Sequence, residues 1–371
     1  MADRRPVRLL VIEAPGQARL VDEDEAAPAE GQFRLETLYT GLSAGTELTY
    51  FKGTNPYLHA VWDQRLGVFR HDRPAAGFPV RAPGYMEVGR VTETNSDAVG
   101  AGDLVAMAYG HKTGHTVDPA ADRFLPLPAD LDPVLGVYVA HMGPICANGL
   151  LHAAADAAGP GALQLGDGVR GRHVLVTGAG VVGLLVGLLA RHHGAAEVMV
   201  ADASPQRLAA ARGLGLDAVD DAQGSAWRAV KERWRRDATD CGADVVFQCR
   251  GRTAALAGAL RSLRPQGTVI DLAFYQGGAA DLALGEEFHH NGLTIRCAQI
   301  GRVPRGMAHL WDRRRLAAET LALLRADGPA MREHLITDLV PLDDAPALLA
   351  DLAARRRHVL QAVFACPAAT A

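Results

Sequence analysis

Residues 174–183 read Val-Leu-Val-Thr-Gly-Ala-Gly-Val-Val-Gly, an apolar strand pattern that runs through G-x-G-x-x-G into a helix-like stretch at 184–190. No other segment constrains the fold as tightly. Gly178 permits a tight turn, Gly180 lets a pyrophosphate approach the backbone, and Gly183 lets a helix pack closely on the strand. Val181 and Val182 open that helix, so their N–H groups and the positive end of the helix dipole face the phosphates. A second strand pattern at 198–201 ends on Asp202, nineteen residues past Gly183. A carboxylate there accepts hydrogen bonds from the hydroxyls of an adenosine ribose and repels a 2′-phosphate, which predicts NAD as cofactor. Arg207 is the dissent, because a nearby arginine can accept the extra phosphate of NADP; an exposed position on a helix at 205–213 is its plainer reading.

Around this motif the pattern alternates. Strands are expected at 173–178, 198–202, near 218–219, at 243–249 and at 267–273, with helices at 182–193, 205–213, 225–236 and 253–263 between them. Such alternation means a parallel, doubly wound α/β sheet. Residues 7–127 read differently, as short strands (7–12, 32–39, 89–94, 103–109) punctuated by Pro and Gly, which predicts a β-rich module. A helix is expected at 140–158, a further strand at 293–300, amphipathic helices at 316–324 and 346–354, and a closing strand at 359–364. The connection at 53–83 carries Tyr57, Trp62, Phe69 and Phe78. Its length suits a lid or binding loop, or a roof over its own core.

A chain of 371 residues fits two domains. With 49% apolar and 22% charged residues it is globular rather than disordered. A net charge of −4 argues against a nucleic-acid partner. The N-terminal residues lack the apolar core of a signal peptide, and the longest apolar run, 181–190, is too short to span a bilayer. We therefore expect a cytoplasmic protein with a small-molecule substrate and no membrane partner. Five cysteines, in no C-x-x-C spacing, suit unpaired thiols in a reducing compartment.

Gly41-Leu42-Ser43-Ala44-Gly45-Thr46-Glu47, Pro83-Gly84-Tyr85-Met86-Glu87-Val88-Gly89-Arg90-Val91, Gly102-Asp103-Leu104-Val105 and the glycine fingerprint together resemble the medium-chain dehydrogenase/reductase superfamily over essentially the whole chain. The branch that includes bacteriochlorophyllide dehydrogenases is the most similar in text, sharing Ser-Ala-Gly-Thr-Glu and Phe288-His289-His290-Asn291. The resemblance implies a GroES-like catalytic domain at 1–145, a Rossmann NAD-binding domain at 146–300 and a C-terminal return to the catalytic domain at 301–371. It also implies a homodimer or homotetramer, with 293–300 as the sheet edge that pairs.

The chain departs from that pattern where zinc-dependent members carry their ligands. Ala44 stands at the Cys position of G-x-C-G-T-D, Tyr85 and Met86 replace the His and Glu of G-H-E, and His141 stands at the Glu of E-P-L-A-C-x-x-N-G. Zinc wants three or four N, S or O ligands in a tetrahedral set, so no metal site is expected. His111 and His115 read as loop histidines. Hydride transfer to a carbonyl then needs side chains to stabilise the alkoxide and supply a proton. Tyr85 and His141 are the expected catalytic pair, Thr46 a relay, and Glu47 the next proton donor in line, with Asn148 a weaker candidate. The predicted activity is a zinc-independent, NAD-dependent alcohol dehydrogenase or ketone reductase. An NADPH-dependent C=C reductase, a redox-neutral epimerase that retains NAD, and a dinucleotide-binding protein without turnover remain open as alternatives.

Overall fold

A computed structural model describes residues 4–280 and 282–369. In chain order it begins with β1 (Arg5–Ala14), β2 (Gln17–Glu25), β3 (Phe33–Gly41), α1 (Ala44–Phe51), β4 (Val61–Asp63), β5 (Val68–Arg70), β6 (Val80–Arg81), β7 (Glu87–Thr94), β8 (Leu104–Met107), β9 (Gly114–Val117) and β10 (Leu125–Pro126). Then come α2 (Met142–Ala158), β11 (His173–Thr177), α3 (Val181–His192), β12 (Glu197–Asp202), α4 (Pro205–Gly213), β13 (Asp217–Asp220), α5 (Ala226–Arg233), β14 (Ala243–Gln248), α6 (Thr253–Ser262) and β15 (Leu263–Asp271). The chain closes with α7 (Glu287–His290), β16 (Thr294–Cys297), α8 (Arg313–His334), β17 (Ile336–Pro341), α9 (Ala345–Ala353) and β18 (Gln361–Ala365).

Two units result, one running through His141 and resuming at Ile336, the other Met142–Leu335. The first is β-rich. Its larger sheet has the order β10-β8-β7-β3-β18-β17, with β9 also on β3, and a smaller sheet joins β2, β1 and β6. The C-terminal β18 pairs antiparallel with β3 through Phe364–Thr40 and its neighbours, so the last strand is built into the first unit's sheet. Its core gathers Leu10, Ile12, Leu42, Phe51, Leu349 and Phe364, all nearly inaccessible. The connection at 53–83 forms a small hairpin of β4 and β5, with Tyr57 and Trp62 edge-on to Phe69 at 5.3 and 5.0 Å.

The second unit is a six-stranded sheet in the order β13-β12-β11-β14-β15-β16, parallel throughout. By order of appearance this is 3-2-1-4-5-6, whose direction reverses between β11 and β14. Leu175, Val246, Ala259 and Val269 are buried in its core; strands covered on both faces read as continuous apolar runs.

Three expectations need correction. The boundary placed at 300/301 falls instead at 335/336. Residues 316–324 are only part of a 22-residue helix that stays in the second unit, anchored by buried Leu316, Leu323, Leu324 and Met331 and by an Arg191–Asp327 ion pair at 3.0 Å. Gly328 and Pro329 do not end that helix. Pro329 and Arg325, whose carbonyl loses its helical donor, both face solvent, where water can take the lost bond. The strand expected at 293–300 is limited to Thr294–Cys297 at the sheet edge. No helix among the described residues is long and apolar enough to cross a membrane.

Candidate functional site

In the β-rich unit the segment 41–47 is not a loop throughout. Helix α1 starts at Ala44, so Thr46 and Glu47 lie in its first turns just after Ser43. Tyr85 lies in the irregular segment before β7, and His141 immediately precedes α2. The fold brings three of these together. The Tyr85 and His141 rings are 4.6 Å apart between centroids, tilted by 57°, and the Tyr85 hydroxyl shares a short hydrogen bond with Ser43 Oγ. Tyr85 and His141 are half-buried, as is Thr46. Ser43, 6% exposed, stands in the sequence motif but was not among the expected site residues. A lone hydroxyl has no spacing signature, and the 42-residue separation from Tyr85 is closed only by the pairing of β3 with β7.

Beneath this cluster lies a buried ionic network. Glu47 is 1% and His111 0% exposed. Glu47 Oε1 accepts the Ser43 N–H at 2.7 Å, and its Oε2 is 2.6 Å from His111 Nε2. On the other side, His111 Nδ1 is 2.6 Å from Thr40 Oγ1, which donates to Glu87 Oε1 at 2.9 Å. Because Thr40 gives its one proton to Glu87, Nδ1 must donate to Thr40, and Nε2 donates to Glu47. Both ring nitrogens then carry protons. Burial opposes that charge on His111, but the Glu47 and Glu87 carboxylates outweigh it and raise its pKa. Burial also raises Glu87, against its bonds from the Tyr109 N–H and Thr40 and the pull of His111.

One sequence reading is corrected here and another acquires a role. Glu47 is not placed to serve as the next proton donor, since both its oxygens are engaged and it is sealed from solvent. His111 lies in a loop, as expected, but it is fully buried. It is the cation that lets two carboxylates share one core, and Gly84, at φ +110°, leaves room for it where a Cβ would come within 2.9 Å of the ring. Asn148, the weaker candidate, lies in the second unit, where its Nδ2 donates to the carbonyls of Gln299 and Arg302 at 3.3 and 3.2 Å.

In the second unit the glycine turn has the geometry its spacing demands. Gly178 has φ +98°. A Cβ on Gly183 would collide with the Gly178 carbonyl oxygen, whereas a Cβ on Gly180 would meet nothing within 4 Å. One glycine is thus required for packing, and the other faces open space. Helix α3 begins after Gly180 without a side-chain cap, so its first N–H groups, at Val181 and Val182, are available to an anion. Asp202 is 4% exposed. It accepts the Ala179 N–H at 2.8 Å and the Ser204 N–H at 2.8 Å, and Arg207 Nη1 stands 3.7 Å away. The carboxylate therefore pins the glycine turn to β12, and each oxygen retains acceptor capacity for a ribose hydroxyl. Farther along the same sheet edge, a cavity of about 380 Å³ opens between the ends of β14 and β15, lined by Gly251, Arg252, Thr253 and Tyr275 among others. Tyr275 donates to Asp271 Oδ2 at 3.0 Å and accepts from Gln248 Nε2 at 3.2 Å.

A glycine-pinned dinucleotide turn on a 3-2-1-4-5-6 sheet, joined in sequence to a β-rich unit that the chain enters twice, defines a two-unit dehydrogenase architecture. Comparison with known proteins agrees. Residues 181–313 match the family model for zinc-binding dehydrogenase. D-guloside 3-dehydrogenase of Escherichia coli is 26% identical over 348 residues, which cover 92% of this chain and 94% of that protein. Among solved structures, a protein of the zinc-binding dehydrogenase type from Sinorhizobium meliloti 1021, bound to NADP, superposes with a TM-score of 0.71 at 18% identity, covering 97% of this chain and 99% of that one. A short chain alcohol dehydrogenase from E. coli CFT073, complexed with NADH, gives 0.69 at 14% identity and covers 97% and 99%. Residues 181–313 thus carry a zinc-binding dehydrogenase domain, and the chain as a whole is similar to dehydrogenases.

Proposed function

We propose that the protein is an NAD-dependent oxidoreductase that moves a hydride between nicotinamide and a secondary alcohol or ketone of a small, polyol-like molecule, without a catalytic zinc. The observation that carries this reading is the Ser43–Tyr85–His141 cluster at and beside the positions where zinc-dependent relatives hold their metal. The polyol class is suggested by the glycoside dehydrogenase among the relatives.

The dinucleotide fits the second unit: Gly180 leaves the approach clear, the start of α3 offers N–H donors to the pyrophosphate, and Asp202 offers acceptors to the adenosine ribose. Bound nicotinamide supplies the hydride acceptor or donor. The protein's own residues do the rest. Either hydroxyl can donate in the Ser43–Tyr85 bond; with Ser43 as donor the phenol proton is left to be aimed at a substrate oxygen, and the Ser43 backbone is itself held by Glu47. Tyr85 then stabilises the developing alkoxide and protonates it in the reductive direction. His141, packed on the Tyr85 ring, contributes a second donor, and Thr46 a hydroxyl in the first turn of α1.

Zinc does not suit this donor set. Ala44 has no donor atom, Met86 is fully buried with its thioether against Gly41, and a phenol and an imidazole do not complete a tetrahedral site. Elemental analysis of the purified protein is expected to find no stoichiometric zinc, and a chelator to leave turnover unchanged; one tightly held zinc per chain would overturn this part of the proposal.

Cofactor preference has a competing reading, because Arg207 stands beside Asp202 and one structural neighbour is bound to NADP. The buried carboxylate supports the NAD reading: a 2′-phosphate dianion beside it meets repulsion at low effective dielectric, whereas Arg207 is 46% exposed and well solvated. Fluorescence titration is expected to show NADH binding at least about tenfold more tightly than NADPH, roughly 1.4 kcal/mol. Equal or tighter NADPH binding would reverse the assignment.

A further inference from the structure

The chain contains only three lysines, Lys52, Lys112 and Lys231, among its 38 basic residues. Lys52 is exposed. Lys231 donates from Nζ to the carbonyls of Cys241 and Leu263 at 2.9 and 2.5 Å, acceptors that hold an ammonium and cannot take its proton. Lys112 is different. It lies before β9 in the β-rich unit, where its backbone bridges to Leu9 of β1, and its Nζ is 2.6 Å from His115 Nδ1. His115 Nε2 faces Asp122 Oδ2 at 3.6 Å. The Tyr109 ring stacks on His115 at 4.8 Å and 27°, lies 5.3 Å from Nζ, and is fixed by a 2.6 Å bond between its hydroxyl and Thr37.

We propose that Lys112 is a nucleophilic amine, poised by His115 and oriented through Asp122, that condenses with small neutral aldehydes to form an imine. The arrangement is that of a nucleophile next to a base that is itself aligned by a third group. Asp122 favours the tautomer with the proton on Nε2, which turns the Nδ1 lone pair toward Nζ. Burial lowers the Lys112 pKa against the pull of Glu25, Glu87, Asp122 and Glu23. Burial, then the neighbouring Lys112 charge, pushes His115 down to about 4, against Asp122 and Glu25, so at neutral pH the ring is an acceptor. The same carboxylates repel anionic electrophiles such as acyl phosphates, which leaves uncharged carbonyls as the class that fits. His115 remains 18% exposed, so the pair is reachable from solvent.

In the step itself the Nζ lone pair attacks the carbonyl carbon, and the C=O π pair moves to oxygen. His115 Nδ1 carries one amine proton to that oxygen to give the carbinolamine and then the second, so that the hydroxyl departs as water while the nitrogen lone pair forms the C=N bond; no oxidation state changes. The proposal does not depend on the dehydrogenase reading.

The test is reductive methylation of the intact protein with limiting formaldehyde and cyanoborohydride at pH 7, mapped by peptide mass spectrometry, in which Lys52 is the internal reference. Lys112 is expected to be modified at least about tenfold faster than Lys52, the scale of rate gain that a positioned general base supplies at the least. His115→Gln, shown to be folded by its melting curve, is expected to bring Lys112 down to the Lys52 rate, and Asp122→Asn to lower it partway. Labelling of Lys112 no faster than Lys52 in the wild type would overturn the proposal, as would an undiminished rate in folded His115→Gln. If His115→Gln does not fold, Asp122→Asn decides, with an unchanged Lys112 rate counting against the proposal and a lowered one for it.

Discussion

Tyr85→Phe is expected to cut turnover by roughly 10²- to 10³-fold, or about 3 to 4 kcal/mol, the usual cost of removing one positioned oxyanion donor. The substitution keeps the ring that packs on His141 and removes only the hydroxyl that meets Ser43. Stability should fall by no more than about 1 kcal/mol, the worth of one hydrogen bond, and nucleotide affinity should hold, because the glycine turn and Asp202 belong to a different unit of the chain. His141→Ala is expected to follow the same pattern with an altered pH profile. Steady-state kinetics on a panel of polyols and glycosides, run beside NADH titrations and melting curves, separates the two roles. Wild-type turnover in both variants would place the proton donor elsewhere. A loss of stability without a selective loss of turnover would make Tyr85 a packing residue.

The larger effect on stability belongs to His111. Replacing it with alanine strands Glu47 and Glu87 in the core without their shared cation, and breaking a buried ionic set in this way costs about 3–5 kcal/mol. Urea denaturation is the measurement, and a loss below about 1 kcal/mol would show that the network is not ionised as its hydrogen bonds require. The pH dependence has a definite sign. The folded protein holds protons on His111 and Glu87 more tightly than the unfolded chain, since both pKa values are raised. Their contribution is fully present below the unfolded values and is lost as pH rises through the folded ones. The urea midpoint is therefore expected to decline from acid into alkaline pH more steeply in the wild type than in Glu87→Gln. Because Ser43 hangs from Glu47 by its backbone N–H, partial loosening of this network should also lower turnover through Tyr85.

What was legible beforehand follows from the range of the forces involved. The glycine turn, Asp202 and the alternation from β11 to β15 are local: backbone sterics at Gly178 and Gly183, and apolar runs of strand or helix period, operate within a few residues of one another. The sequence by itself therefore determined the doubly wound sheet and where a dinucleotide would lie on it. The hydroxyl cluster was half legible. Tyr85 and His141 fall at positions made notable by the ligands they replace and Thr46 beside such a position, whereas Ser43 carries no such mark. Only the tertiary structure decided the roles of Glu47, His111 and Lys112. Glu47 and His111 are 64 residues apart and meet at 2.6 Å. Their burial, and hence whether each is a reactive group or a structural ion, depends on desolvation by strands drawn from both ends of the chain, with β18 closing over β3. The same holds for α8, where Gly328-Pro329 signals a break but packing of Leu323, Leu324 and Met331 keeps the helix whole. A local preference of about 3 kcal/mol against a helical proline yields when several buried side chains, each contributing about 2 kcal/mol, depend on the helix continuing.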